Sequence, residues 1–344
     1  MTSTSATTSA RIEFNKDVKS FNSLNLPGRA EQFAQFSSIS ELLSLLAYAR
    51  QQKLTVKVLG GGSNILMPAR VSGLVLQSAM QSVEVLRQDE QSISLKVDAG
   101  KHWHSWVLES QQYGHGIENL ALIPGTVGAS PIQNIGAYGV EVADVLESVQ
   151  GICLSSMQLM TLSNADCRFG YRDSIFKREL KDDFIVTSAT FRLTKAFAPN
   201  VSYGPLASWA SDHSGFSSQH LIDQVCAIRS SKLPDPTDIP NAGSFFKNPV
   251  VSAAEAGKLR TQYPNMPGYP QADGRVKLAA GWLIEQAGWK GRSLGNASMH
   301  SLQALVLTTN GSAELSDVFA IRDAVRADVF ELFGVQLEPE PQLF

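Results

Sequence analysis

A chain of 344 residues, 43% of them hydrophobic, is long enough for two or three domains with sizeable cores. Its formal net charge of −3 gives no bulk attraction to nucleic acid or to an anionic membrane, which argues against a nucleic-acid-binding module. The three cysteines, Cys153, Cys167 and Cys226, are widely spaced with no C-x-x-C pair, so neither a disulfide framework nor a structural zinc site is expected, and a reducing cytoplasm fits.

Residues 1–10 are rich in Ser and Thr without a basic start or an apolar core, and read as a disordered tail rather than a signal peptide. Ser38-Ile-Ser-Glu41 is a capping-box pattern, after which Leu42, Leu43, Leu45, Leu46 and Tyr48 supply the apolar face of a helix. A strand at 54–59, a loop at 60–64 and a strand at 73–77 complete a small α/β lobe with its loop at a strand end. Segments 82–87 and 92–98 alternate apolar and polar residues, as half-buried antiparallel strands do. Residues 101–113 read as a helix closed by Gly114. Strands follow at 147–154 and 184–193, with polar turn material between them. A helix at 219–230 stops at Leu233-Pro-Asp-Pro236, where two prolines cannot continue it, and a domain boundary is expected there. Ser252-Ala-Ala-Glu255 is a second capping box; helices at 276–287 and 314–333 flank a strand at 303–308. The organisation expected is a tail at 1–13, lobes at 14–80 and 81–232, and a C-terminal domain at 233–344. No apolar run approaches the roughly 20 residues that span a bilayer, so no membrane insertion is expected.

Two glycine-punctuated stretches stand out. One is Leu59-Gly-Gly-Gly-Ser-Asn64; the other is Leu122-Ile-Pro-Gly-Thr-Val-Gly-Ala-Ser-Pro-Ile-Gln-Asn-Ile-Gly-Ala-Tyr-Gly139, which carries no ionisable side chain but the Tyr138 phenol. Successive backbone N–H groups of such loops can converge on an anion, and two of them could grip the ends of a diphosphate-bearing cofactor; tight turns in a sheet protein are the plainer alternative. Neither loop fits the phosphate-binding G-x-x-x-x-G-K-[ST]; Gly-Gly-Gly-Ser-Asn does not fit the dinucleotide fingerprint G-x-G-x-x-G, and neither Ser63 nor Ser244 sits in the nucleophile elbow G-x-S-x-G. His102 and His104 diverge on a helix and lack a third ligand, so no metal is expected.

Three polar stretches remain. In Phe169-Gly-Tyr-Arg-Asp-Ser-Ile-Phe-Lys177, Arg172 sits between aromatics and offers a fork for a carboxylate or phosphate, unless it merely pairs with Asp173 or Glu179 at the surface. In Asn241-Ala-Gly-Ser-Phe-Phe-Lys-Asn-Pro249, Ser244 is either a proton-donating hydroxyl or a capping serine. Leu337-Glu-Pro-Glu-Pro341 fixes two carboxylates in a proline-stiffened segment.

Together and in this order, these stretches resemble the UDP-N-acetylenolpyruvoylglucosamine reductase (MurB) family, type I subgroup, from about Asn22 to Glu340. The resemblance implies an α+β fold: a two-lobed FAD-binding region of the vanillyl-alcohol-oxidase (PCMH) type, and a C-terminal α/β substrate domain. It implies FAD held non-covalently by Gly60, Gly61, Gly62, Ser63, Asn64, Pro124, Gly125, Thr126, Gly128, Ala129, Ser130 and Gly136. Ser63 and Asn64 stand where some relatives in the wider fold carry a flavin-linking histidine. NADPH is the implied co-substrate and UDP-N-acetylglucosamine enolpyruvate the implied substrate, in a cytoplasmic monomer of peptidoglycan precursor synthesis. By the same resemblance Arg172 grips the substrate carboxylate, Glu340 assists it, and Ser244 delivers a proton. Tyr171, Tyr203, Lys232, Asn248, Tyr269 and Gln303 match substrate-holding positions. The alternatives are a flavin oxidase of the same fold and a catalytically silent UDP-sugar-binding regulator. Relatives usually continue past L-E-P-E, whereas this chain ends at Phe344, which leaves open what holds Glu340.

Overall fold

The computed structural model describes residues 11–344, and the tail expected at 1–10 lies outside them. The first strand, Ile12–Asp17, already begins within the stretch assigned to that tail. The chain forms two compact units, neither contiguous in sequence. One comprises the chain up to residue 16 with 29–61 and 70–229; the other comprises 17–28, 62–69 and 230–344.

The first unit holds two sheets. In the smaller, Arg29–Phe36 and Val56–Val58 both pair in parallel with the central strand Arg70–Ser78. A parallel connection needs a crossover, supplied by helix α1 (Ile39–Gln51). Ser38 caps it, its Oγ accepting from the Glu41 N–H at 3.1 Å. The return arm of the expected capping box lands one residue earlier, the Glu41 carboxylate accepting from the N–H and hydroxyl of Ser37 at 2.7 and 2.8 Å. The buried face of α1 is Leu42, Leu45, Leu46 and Ala49, spaced i, i+3, i+4, i+7. Leu43 and Tyr48, expected on that face, lie beside it: Leu43 is exposed, and the Tyr48 hydroxyl reaches Gln32 at 3.0 Å.

The larger sheet is antiparallel, in the order Gln158–Ser163, Leu146–Cys153, Phe184–Thr194, Ser92–Asp98, Val83–Gln88. Its outer strand Gln158–Ser163 falls where polar turn material was expected. That strand is exposed along almost its whole length, so burial wrote no alternation into its sequence. Helix α2 (Trp103–Ser110) packs Trp103 and Trp106 on Phe191 of the long central strand, ring centroids 5.9 and 5.8 Å apart. Helix α3 (Gly204–Asp212) has no counterpart in the sequence reading; it buries only Leu206 and so has no apolar stripe. Helix α4 (Ser218–Ser230) buries Leu221, Ile222 and Val225.

In the second unit, Asn241–Ser244, Val306–Thr309, Ala297–Met299 and Ser293–Leu294 form an antiparallel sheet in that order. Helix α5 (Ala253–Gln262) starts at the complete capping box of Ser252 and Glu255. The helix expected over 276–287 is instead a strand, Val276–Leu278, followed by α6 (Ala280–Gln286). Val276 and Leu278 are buried on one side while the strand pairs with Gly268–Pro270 and Val250–Val251, and tertiary pairing overrides the apparent helical run. The strand expected at 303–308 begins only at Val306, because Gln303 opens a turn with the Val306 N–H on its carbonyl at 3.0 Å. Helix α7 (Leu315–Phe333) ends on Gly334 in the left-handed region, φ 66°.

Candidate active site

Within the first unit the two glycine-rich loops meet backbone to backbone. A Cβ on Gly61 would lie 2.8 Å from the Gly125 Cα, and one on Gly128 only 2.6 Å from the Ala99 Cβ. The second loop is pinned to the chain ahead of α2. The Trp103 N–H donates to the Gly125 carbonyl at 3.0 Å, Val127 to Lys101 at 2.8 Å, and Gly128 to Ala99 at 2.9 Å. The N–H groups of Gly60, Gly61, Gly125 and Thr126 take no part in the backbone hydrogen bonding of the described residues. Unpaired donors on touching, side-chain-poor loops form a cradle for phosphate and carbonyl oxygens. Val127–Ala129 is a 3-10 turn, and Ser130 is buried with its hydroxyl on the Val127 carbonyl. His104 holds the start of the loop, its Nδ1 accepting from the Leu122 N–H at 3.0 Å, while burial keeps its imidazole below the ordinary pKa.

The rest of the long stretch is a hairpin. Gly136–Ala137 pairs with Val140–Glu141, and Tyr138 and Gly139 at its tip both have positive φ, 49° and 82°. This is the two-residue turn whose twist matches paired strands. The hairpin holds Arg172. That residue sits at φ 53° in a tight turn closed by reciprocal Gly170 and Asp173 backbone bonds. Its Nη2 donates to the Gly136 carbonyl at 2.6 Å and its Nη1 to that of Asn134 at 3.4 Å, with the Tyr171 ring 5.4 Å away. Asp173 pairs with Arg178 at 3.0 Å and Glu179 with Arg168 at 2.9 Å. Asn134, to which sequence reasoning gave no role, ties these pieces together. Buried at φ 46°, it donates to Glu141 at 2.6 Å and to the Gly170 carbonyl at 3.1 Å, and accepts from the Ala143 N–H at 3.1 Å. The Tyr203 ring, at the start of α3, meets the Tyr138 ring edge-on at 5.4 Å.

In the second unit Ser244 ends a strand opposite Val306 and is neither a helix cap nor a loop residue. The chain just beyond it zips onto the C-terminal segment. The Glu340 N–H donates to the Phe245 carbonyl and the Lys247 N–H to the Glu338 carbonyl, both at 2.9 Å, which brings Ser244 and Glu340 onto neighbouring extended segments. Glu340 is buried. The chain beyond it ends in a strand, Gln342–Leu343, paired in parallel with Ile65–Leu66 directly after the first glycine loop. Ser63 and Asn64 precede that pair, the Asn64 carbonyl accepting from the Gln342 N–H at 3.1 Å, while the Gly62 carbonyl accepts from Ser23 at 3.1 Å. Of the expected substrate contacts in this unit, Asn248 caps α6 through Oδ1 on the Ala280 N–H at 2.9 Å. Tyr269 is half exposed on the strand Gly268–Pro270, Lys232 is exposed after α4, and Gln303 opens the turn before Val306.

Comparison with known proteins gives these parts a lineage. Residues 235–344 match the family model described as UDP-N-acetylenolpyruvoylglucosamine reductase, C-terminal domain, and residues 30–155 match an FAD-binding domain. The UDP-N-acetylenolpyruvoylglucosamine reductase of Pseudomonas putida is 44% identical over 95% of this chain and 97% of its own length. That of Dechloromonas aromatica is 46% identical over 95% and 98%. The chain belongs to the UDP-N-acetylenolpyruvoylglucosamine reductase family. The crystal structure of the family's Thermus caldophilus member matches with a TM-score of 0.65 over 97% of this chain and 99% of that one, and at 23% identity it speaks to the fold.

The protein is thus an FAD-containing oxidoreductase of the expected α+β class. The cradle fits that cofactor on its own geometry, since a Cβ at Gly61 or Gly128 would collide with the facing backbone or side chain and four N–H groups there await acceptors. Among the described residues no cluster of His, Cys, Asp and Glu is built to hold a metal ion, and no helix is long and apolar enough to cross a membrane.

Proposed function

We propose that this protein uses NADPH to reduce UDP-N-acetylglucosamine enolpyruvate to UDP-N-acetylmuramate. Gly60, Gly61, Gly62, Ser63, Asn64, Pro124, Gly125, Thr126, Gly128, Ala129, Ser130 and Gly136 are the residues that would hold FAD, without a covalent bond. Bound there, FAD would supply the two-electron chemistry that carries hydride from NADPH to the terminal methylene carbon of the enolpyruvyl group.

The protein's own groups handle the charge and the proton. As hydride adds to the methylene carbon, the electron pair of the carbon–carbon double bond moves onto the neighbouring carbon and into the carboxylate. Arg172 grips that carboxylate through its preoriented fork, an electrostatic contribution of several kcal/mol to the barrier. Glu340 supports the same centre. Ser244 gives its hydroxyl proton to the carbanionic carbon, which completes the C–H bond and leaves an alkoxide that regains a proton from solvent. A serine is a weak acid, so this step needs short range and exclusion of water. Tyr171, Tyr203, Lys232, Asn248, Tyr269 and Gln303 are assigned to holding the nucleotide sugar.

The observation that supports this reading most is the pairing of the two segments that carry Ser244 and Glu340, which sets a hydroxyl and a buried carboxyl on adjacent backbones. The test is optical. Purified protein should be yellow; NADPH should bleach it under nitrogen and the enolpyruvyl nucleotide should restore the colour with formation of the saturated product. A yellow protein that NADPH bleaches but only oxygen restores would refute the reading.

A further inference from the structure

Arg229, in the last turn of α4, has no part in the reaction just proposed. Its Nε is shut off from solvent and hydrogen-bonds to no described residue. Burial lowers its pKa most; the groups that act on its charge include the Tyr138 phenol, the Cys226 thiol and, repulsively, the Arg172 guanidinium. An orphaned buried donor calls for an explanation. The Nε–H and a neighbouring Nη–H form one edge of the guanidinium, a fork matched to two oxygens of a carboxylate or phosphate.

Tyr138 caps the hairpin whose Gly136 carbonyl orients Arg172, and its ring touches that of Tyr203, which is 43% exposed. We propose that Arg229, with the Tyr138 hydroxyl beside it, is a second oxyanion-binding group of the first unit, taking a phosphate or carboxylate of a nucleotide substrate separately from Arg172. This rests on the proposed reaction for the identity of the nucleotides, not for the existence of the site.

The experiment uses the FAD-loaded protein and two variants, Arg229→Lys, which keeps the charge but loses the fork, and Arg229→Met, which removes the charge at similar volume. Dissociation constants are measured for UDP, NADP+ and the enolpyruvyl nucleotide, with thermal melting of each protein alone. Both variants should retain FAD, Arg229→Met should melt no lower than wild type, and both should lose about tenfold or more in affinity for at least one probe. A loss for UDP and the enolpyruvyl nucleotide together assigns the diphosphate; a loss for the enolpyruvyl nucleotide alone assigns the carboxylate; a loss for NADP+ alone assigns a dinucleotide phosphate. Unchanged affinity for all three overturns the proposal. Should both variants fail to fold, the wild type decides: the Arg229 Nε–H resonance must move on titration with at least one probe, and a resonance that moves with none overturns it. Wild-type protein that binds UDP through Arg229 but shows no NADPH-driven turnover would count against the proposed reaction alone.

Discussion

Arg172 adopts φ 53°, a left-handed conformation that a side chain with a Cβ takes at a cost of about 1–2 kcal/mol. Its carbonyl is held by the Lys177 ammonium at 3.0 Å while its guanidinium is held by the hairpin. The strain is therefore fixed at both ends of the residue. Arg172→Gly should be more stable than Arg172→Ala by about 1 kcal/mol, the reverse of the usual order, while both lose turnover. Chemical denaturation of the pair checks it, and equal or inverted stabilities would contradict the strain. His104 makes a second prediction at this scale. Burial first, then His102 and Arg229, lower its pKa from 6.5, and only the neutral ring can accept from Leu122. The unfolded chain thus binds a proton at His104 before the folded one does, so stability is full above about pH 6.5 and declines as the pH falls toward the folded pKa. His104→Asn, which keeps an acceptor, should flatten the acid side of the melting-temperature profile. An unaltered slope would mean His104 is not the group responsible.

At the level of elements, the glycine loops work by letting backbones approach. Gly128→Ala places a Cβ against the Ala99 Cβ at 2.6 Å, and since the Gly128 N–H is bonded to the Ala99 carbonyl the loop cannot simply back away. The variant should still fold but lose FAD on gel filtration, running colourless where wild type stays yellow; full retention of flavin would show that the approach is not needed. The sequence displayed these loops openly, because glycine spacing and the absence of charge are local properties. It also displayed α1, α4, α5 and α7, whose buried residues recur at helical spacing. It did not display the strand Gln158–Ser163, which is solvent-facing, or the change from strand to helix at Ala279, which depends on partners at Gly268–Pro270 and on the Asn248 side chain. Arg172, Ser244 and Glu340 stood out as polar residues in unusual settings, yet their neighbours Asn134 and Arg229 did not. Burial of an asparagine or an arginine is decided by tertiary packing, which no local pattern reports.

The whole molecule is interleaved. Residues 17–28 and 62–69 belong to the unit built mainly from 230–344, and they are stitched into it. The Asn241 N–H donates to the Ser23 carbonyl at 2.9 Å, the Thr309 hydroxyl to that of Leu24 at 2.8 Å, and the Lys19 ammonium to that of Gly311 at 2.9 Å. A fragment of residues 230–344 would leave buried donors without acceptors and lose the strand that anchors Gln342–Leu343. It should show no cooperative melting transition when expressed alone, and a sharp transition near that of the intact protein would contradict this interdependence. The same interleaving makes the tail after Glu340 a structural strand.

The central claim, that Ser244 supplies the proton to a substrate carbon once hydride has arrived, has one direct measurement. In rapid-mixing experiments on Ser244→Ala, NADPH should bleach the flavin at about the wild-type rate. Reoxidation by the enolpyruvyl nucleotide should then be slower by about 10²–10⁴-fold, the usual loss when a positioned proton donor is removed. Reoxidation at the wild-type rate, with normal product, would show that another group delivers the proton and that the assignment of Ser244 is wrong.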